Sequence, residues 1–151
     1  MKKILIVCLG NICRSPMAEA VLRQLIKEAG LVEELSVQSR GTSHIQVGKI
    51  PHEGTRQQLD SYGISYENMV AEQITTADFT DYDYIIAMDR QNVKDLLGLA
   101  PAGLGSKVHL FLEVLPESEY EEVPDPYYTG DFELTYQLVK AGSEAWLAKI
   151  K

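Results

Sequence analysis

The chain places both of its cysteines, Cys8 and Cys13, in the stretch Val7-Cys-Leu-Gly-Asn-Ile-Cys-Arg-Ser-Pro16, with Arg14 directly after the second. Two thiols beside a guanidinium admit three kinds of chemistry: metal ligation, packing as small hydrophobes, or nucleophilic attack on a bound anion. Metal ligation lacks partners, because His44, His52 and His109 are scattered and no further cysteine completes a site. The spacing Cys-x5-Arg-Ser, followed at once by helix-forming sequence, fits the third. A strand–loop–helix turn directs backbone N–H groups into one concavity, and the helix N-terminus adds partial positive charge. Arg14 supplies a planar fork for two oxygens of a tetrahedral oxyanion. The same field favours negative charge on the Cys8 sulfur, and a thiolate beneath a bound phosphate is placed to attack phosphorus. Gly10 permits a tight turn, Asn11 suits a left-handed loop residue, and the Ser15 hydroxyl can donate to the sulfur. A phosphate-binding module or phosphocysteine carrier without turnover would need the same loop.

A second stretch, Val123-Pro-Asp-Pro-Tyr-Tyr-Thr-Gly-Asp-Phe132, separates catalysis from binding alone. Dephosphorylation through a cysteine requires a protonated leaving group, and a carboxylic acid on a separate loop supplies the proton and then acts as base toward water. Asp125 stands between two prolines that hold it rigidly. The bland alternative is a Pro-Asp-Pro turn. Tyr127 and Tyr128 weigh against it, since two aromatics beside an acid can wall a pocket for a ring.

The elements that must position these groups follow from periodicity. Lys2 to Cys8 is an apolar run of the kind found in strands buried on both faces. Ser15-Pro16 opens a helix, with Glu19 in its first turns, an apolar face from Ala18 to Ala29 and a stop at Gly30. Leu35–Arg40 reads as a strand, and Pro51–Tyr62 as a helix ended by Gly63. Tyr82–Met88 reads as a buried strand, and Asp89 as the N-cap of a helix to Leu97 closed by Gly98 and Pro101. Val108–Leu112 reads as a last strand. Phe132, Tyr136, Val139, Ser143, Trp146 and Ile150 mark a long final helix. Alternating strands and helices predict one open α/β domain over residues 1–151, a parallel sheet with helices on both faces. Ligands of such folds bind beyond the carboxyl ends of the strands, where Cys8 lies.

Composition bounds the rest. The chain has 151 residues, 45% hydrophobic and 24% charged, and a formal charge of −8. That charge speaks against a nucleic-acid partner and requires any anion site to be built locally. No apolar run reaches the ~20 residues that span a bilayer, so no membrane insertion is expected. The start, Met-Lys-Lys followed by a short apolar run, is a first strand rather than a signal peptide, and two reduced thiols fit a cytoplasmic protein.

Taken together, Val7-Cys-Leu-Gly-Asn-Ile-Cys-Arg-Ser-Pro-Met-Ala-Glu-Ala20 and Asp125-Pro-Tyr-Tyr128 resemble the signatures of the low-molecular-weight protein tyrosine phosphatases, in order and over essentially the whole chain. The resemblance implies a four-stranded parallel sheet and hydrolysis of tyrosine-phosphorylated proteins or peptides without metal or organic cofactor. It implies Cys8 as nucleophile, Arg14 as phosphate clamp, and Asp125 as general acid and then base, through a phosphocysteine. Leu9, Gly10, Asn11, Ile12, Cys13 and Ser15 would form the substrate loop, with Tyr127 and Tyr128 at the pocket wall. Cys13 either packs or, as the family implies, closes a reversible disulfide with Cys8. Two positions depart from the pattern. Met69 falls where eukaryotic relatives carry a histidine that contacts the loop asparagine. Ile45, with His44 beside it, falls where the family has an aromatic wall, and an aliphatic residue stacks less well on a phenyl ring. Thioredoxin-coupled arsenate reductases resemble the chain but need further cysteines. Protein-arginine phosphatases resemble it but typically carry Thr where Ile12 stands, and Ile12 suits a phenyl ring.

Overall fold

Alternate residues of the first strand face opposite ways, and both directions are covered. In the computed structural model, which describes residues 1–151, Ile4, Ile6 and Cys8 of β1 (Lys2–Cys8) pack into one apolar core, and Leu5 and Val7 into another. That is why the run carries no polar alternation. The chain continues through α1 (Arg14–Glu28), β2 (Leu35–Gly41), α2 (Glu53–Ser61), α3 (Thr76–Asp81), β3 (Tyr84–Ala87), α4 (Arg90–Leu99), β4 (Val108–Leu110), α5 (Pro126–Thr129) and α6 (Phe132–Ile150). The four strands form one sheet in the order β2-β1-β3-β4, parallel throughout. α1 and α6 cover the face of Ile4 and Ile6, with Met17, Leu22, Val139 and Trp146 fully or almost fully buried. Phe79 of α3 and Leu96 of α4 cover the other. The result is the expected single-domain α/β fold. The strand order reverses beside β1, which makes its carboxyl end the crevice where ligands bind.

Several boundaries differ from the periodicity, each for a local reason. α1 begins at Arg14, one residue earlier than expected, with Pro16 still inside the first turn, where its missing N–H costs nothing. Glu19 lies beyond that first turn and is buried against Ser39. α2 begins at Glu53 and ends at Ser61, because the His52 ring accepts from the Gly54 N–H (3.0 Å) and so caps the helix. β3 is shorter than Tyr82–Met88. Tyr82 closes α3 by donating to the Asp78 carbonyl, and Asp83 exchanges hydrogen bonds with Lys3. β4 stops at Leu110, where Phe111–Val114 tightens into a 3₁₀ turn. Gly98 lies inside α4 rather than ending it. The helix α3 is additional to the elements read from periodicity. It is fixed by a capping box in which the Thr75 N–H donates to Asp78 Oδ2 (2.9 Å).

α6 packs against the Phe111 turn at Gly142, where a Cβ would run into the fully buried Phe111 ring. The neighbouring Trp146 indole donates to the Phe111 carbonyl at 2.7 Å, so that turn has little room to retreat. Helix propensity alone makes Gly142→Ala stabilising by about 0.5–1 kcal/mol. Overpacking costs about 1–3 kcal/mol and wins here. Urea denaturation is expected to show a lowered midpoint with an unchanged slope; a raised midpoint would mean that the ring yields.

Candidate active site

The loop from Leu9 to Cys13 leaves β1 and turns back into α1 around the Cys8 sulfur. Its sharpest turn is at Asn11, whose φ of +58° lies in the left-handed region. The side chain holds that conformation with every polar atom engaged: Nδ2 donates to Ser15 Oγ (2.8 Å) and Ser39 Oγ (2.9 Å), and Oδ1 accepts from the Glu72 N–H (2.9 Å). Glu72's backbone amide thus supplies a donor to Asn11 Oδ1, while Met69 is buried in the main core. Ser39 Oγ passes the chain on to Glu19 Oε1 (2.6 Å), and Glu19 is paired with Arg23. Gly41, at the end of β2, lies against the loop. A Cβ there would come within 2.8 Å of the Leu9 carbonyl oxygen and 3.2 Å of Asn11 Cβ.

Cys8 is buried, and its Sγ receives the Asn11 N–H at 3.3 Å and stands 2.9 Å from Ser15 Oγ. The backbone amides of Leu9, Gly10, Ile12, Cys13, Arg14 and Ser15 donate to no atom of the protein. Buried amides are almost always paired, and Ile12, Cys13, Arg14 and Ser15 are all buried. α1 starts with no side-chain cap and no acidic residue in its first turn, so its positive end also faces this concavity.

Arg14 is 2% exposed. One terminal nitrogen donates to Asp89 Oδ2 (2.7 Å) and to the Val123 carbonyl (3.1 Å), and the other reaches Asp125 Oδ2 (3.3 Å), while Nε has no partner. Burial pushes the guanidinium's pKa down, but the Cys8 charge and the hydrogen bonds and charges of Asp89 and Asp125 outweigh it, and the net direction is up. Arg14 is therefore always charged. Asp89 caps α4, as its position suggested, by accepting from the Asn92 N–H (2.8 Å) with its other oxygen. Its tie to Arg14 joins residues far apart in the chain and was not legible in the sequence. Nor were the roles of Ser39, Glu19 and Gly41, which come together only in the fold.

One pocket gathers nearly all the residues expected of the site: Cys8, Leu9, Gly10, Ile12, Cys13, Arg14, Ile45, Asp125, Tyr127 and Tyr128 line it, with Ser43 and Gln46 added. Asn11 and Ser15 stand behind the wall and support it. Ile45, Tyr127 and Tyr128 are exposed at the mouth, the two tyrosines meeting edge to face. Asp125 caps the short α5 by accepting from the Tyr127 N–H at 3.1 Å, which fixes its carboxylate beside Arg14. His52, to which the sequence assigned no chemistry, stacks on Phe132 and meets Tyr127 edge to face, while its backbone N–H donates to the Ile12 carbonyl (2.7 Å).

Cys13 is a free thiol, as is Cys8. Burial pushes its pKa from the ordinary 9.0 up to about 12, the charges of Cys8 and Asp125 adding to the rise and Arg14 and Thr55 opposing it. A raised thiol pKa means that the folded state holds the proton longer than the unfolded one. The resulting stability is complete below pH 9 and is lost as the pH rises from 9 toward 12, at about 1.4 kcal/mol per pH unit. Cys13→Ala is expected to flatten the alkaline limb of stability between pH 8.5 and pH 11, roughly by that slope, in urea titrations. An equally steep limb in the variant would assign the loss to other groups.

The family model for low molecular weight phosphotyrosine protein phosphatase matches residues 3–151. The low molecular weight protein-tyrosine-phosphatase YfkJ of Bacillus subtilis is 45% identical over 151 residues, covering 100% of this chain and 97% of its own. Its crystal structure superposes with a TM-score of 0.97 over 99% of this chain and 94% of that one. PtpA of Staphylococcus epidermidis, named as the same kind of phosphatase, is 43% identical over 144 residues, 95% of this chain and 90% of its own. A Drosophila arginine phosphatase shares the fold at a TM-score of 0.91 and 33% identity, over 100% of this chain and 98% of that one. The loop around Cys8, the buried Arg14 and the whole-chain likeness agree: the chain belongs to the low-molecular-weight protein tyrosine phosphatases and is a protein-tyrosine phosphatase.

Proposed function

We propose that this chain hydrolyses phosphotyrosine with Cys8 as nucleophile, Arg14 as phosphate clamp and Asp125 as acid and base. The observation that carries the assignment is the set of unpartnered loop amides around the Cys8 sulfur, together with the free Nε of Arg14. Donors left open in a buried concavity match the equatorial oxygens of a phosphoryl group, which need the same contacts in both steps. Preorganised donors of this kind are worth about 3–4 kcal/mol each in related oxyanion sites.

In the first step the Cys8 thiolate attacks phosphorus, the S–P bond forms, and the P–O bond to the tyrosine breaks. Asp125 delivers its proton to the departing phenolate oxygen. In the second step water attacks the phosphocysteine, Asp125 takes a proton from it, and the S–P bond breaks to release phosphate and the thiolate. The Asn11 N–H and the Ser15 hydroxyl stabilise sulfur as the leaving group. Asp89 acts through Arg14, as a positioning residue. Ile12 presents hydrocarbon at the pocket, which supports a phenyl ring over a guanidinium as the phosphorylated group. The substrates are tyrosine-phosphorylated proteins and peptides, and two free thiols support work in a reducing compartment such as the cytoplasm.

Cys8→Ser is expected to abolish turnover of p-nitrophenyl phosphate while phosphate still binds in calorimetry; turnover near that of the parent enzyme would refute the nucleophile assignment. Asp125→Asn is expected to slow phenyl phosphates with poor leaving groups far more than those with good ones. A uniform loss across a leaving-group series would deny Asp125 the acid role. Asp89→Asn keeps a helix cap of equal quality but loses the ionic tie to Arg14. Its kcat is expected to fall about tenfold to a hundredfold with far-UV circular dichroism unchanged.

A further inference from the structure

Beside the active-site pocket runs a second groove, lined by Ile12, Gln46, Lys49, Ile50, Pro51, His52, Glu53, Arg56 and Tyr127, and it shares Ile12, Gln46 and Tyr127 with the first. A peptide whose phosphotyrosine occupied the pocket and whose chain ran toward this groove would cross this shared rim. The groove carries two cations, and neither Lys49 nor Arg56 has a carboxylate within salt-bridge distance. Arg56 is nonetheless held: its Nε donates to the Pro51 carbonyl at 2.9 Å, and its terminal nitrogens bond to nothing in the protein. The backbone at Lys49 is anchored by the Ala71 N–H at 2.8 Å. Glu53, the one carboxylate of the groove, accepts from the Gln57 amide.

A further cleft, which shares Arg14 and Asp125 with the pocket and no residue with the groove, has the reverse character. There Asp89, Glu119, Glu121, Glu122 and Asp125 line a cleft whose cations, Arg14 and Arg90, are already paired with carboxylates. In a chain of net charge −8, the two unpaired cations of the groove stand apart from the row of carboxylates in the neighbouring cleft, since the two share no lining residue.

We propose that the groove at Lys49 and Arg56 is a substrate subsite for an acidic side chain, Asp or Glu, near the phosphotyrosine. The inference rests on the reading of the Cys8 pocket as the phosphotyrosine site. It makes acidic phosphopeptides the preferred substrates, with the carboxylate over Lys49 and Arg56 and the rest of the peptide turned away from the Glu119–Glu122 flank. Partly exposed pairs of this kind contribute modestly to affinity and more to selection among partners.

The test compares kcat/KM for three phosphotyrosine peptides that differ only in flanking residues (Glu, Ala or Lys), each divided by the value for p-nitrophenyl phosphate with the same protein. The parent enzyme is expected to favour the Glu peptide over the Lys peptide by about tenfold at low salt, and less at high salt. The K49E/R56E double variant is expected to reverse that order, and K49E alone, at an exposed side chain without hydrogen bonds, to reduce it about threefold. An order unchanged in both variants would overturn the subsite. Equal rates on all three peptides by the parent enzyme would overturn it too. Failure to hydrolyse p-nitrophenyl phosphate would instead overturn the reading of the Cys8 pocket.

Discussion

The site depends on one strained residue held by a saturated side chain. Asn11 must adopt a left-handed backbone for the loop to close around the sulfur, and L-residues pay for that conformation unless something fixes it. Here three neighbours from three segments do so: Ser15 from α1, Ser39 from β2 and the amide of Glu72 from the segment that bridges to Gly41. The same side chain orients the Ser15 hydroxyl toward Cys8. Backbone strain, loop shape and sulfur solvation are therefore one cooperative unit. With Met69 in place of a histidine, each polar atom of the Asn11 side chain still has a partner.

Electrostatics follows the same economy. A buried guanidinium is costly unless it is paired, and Arg14 is paired on both sides, by Asp89 and by Asp125. Neither pairing exhausts it, since Nε stays free and faces no acceptor. The carboxylates keep Arg14 charged and fixed in direction, while the open amides supply the remaining positive potential. An acidic protein can thus present a local anion cradle without a basic surface. Asp125 has a double place in this arrangement, as counter-ion to Arg14 and as the cap of α5, so its carboxylate is aimed before any substrate arrives.

What the sequence made legible was whatever is local. The Cys8 loop is contiguous, so its spacing points to an anion site, which Asp125 then separates from binding alone, and the β1 run announces a strand covered on both faces. Asp125 stood out because its proline neighbours are sequence-adjacent. The contacts that escaped were the long-range ones. Arg14 with Asp89, and Glu19 with Ser39, meet only because β1 lies between β2 and β3, and periodicity does not reveal strand order. α3 escaped for a different reason: with six residues it has no room for an apolar repeat, and its only sign was the Thr75-x-x-Asp78 box. The end of β4 was misplaced because Phe111 and Leu112 are buried without being extended, and burial alone does not distinguish a strand from a tight turn.

Cys8 and Asp125 come from opposite ends of the chain, and the roles proposed for them require their spacing to be held to fractions of an ångström. Arg14 provides one tie between them. His52 provides the other, made of packing rather than charge. Its backbone N–H donates to the Ile12 carbonyl of the Cys8 loop, its ring meets Tyr127 edge to face two residues after Asp125, and it stacks on Phe132 at the start of α6. Gly54 completes the stack, because any side chain there would displace the Phe132 ring. Two loops distant in sequence are thus joined by one aromatic stack and one buried cation, each of which touches both.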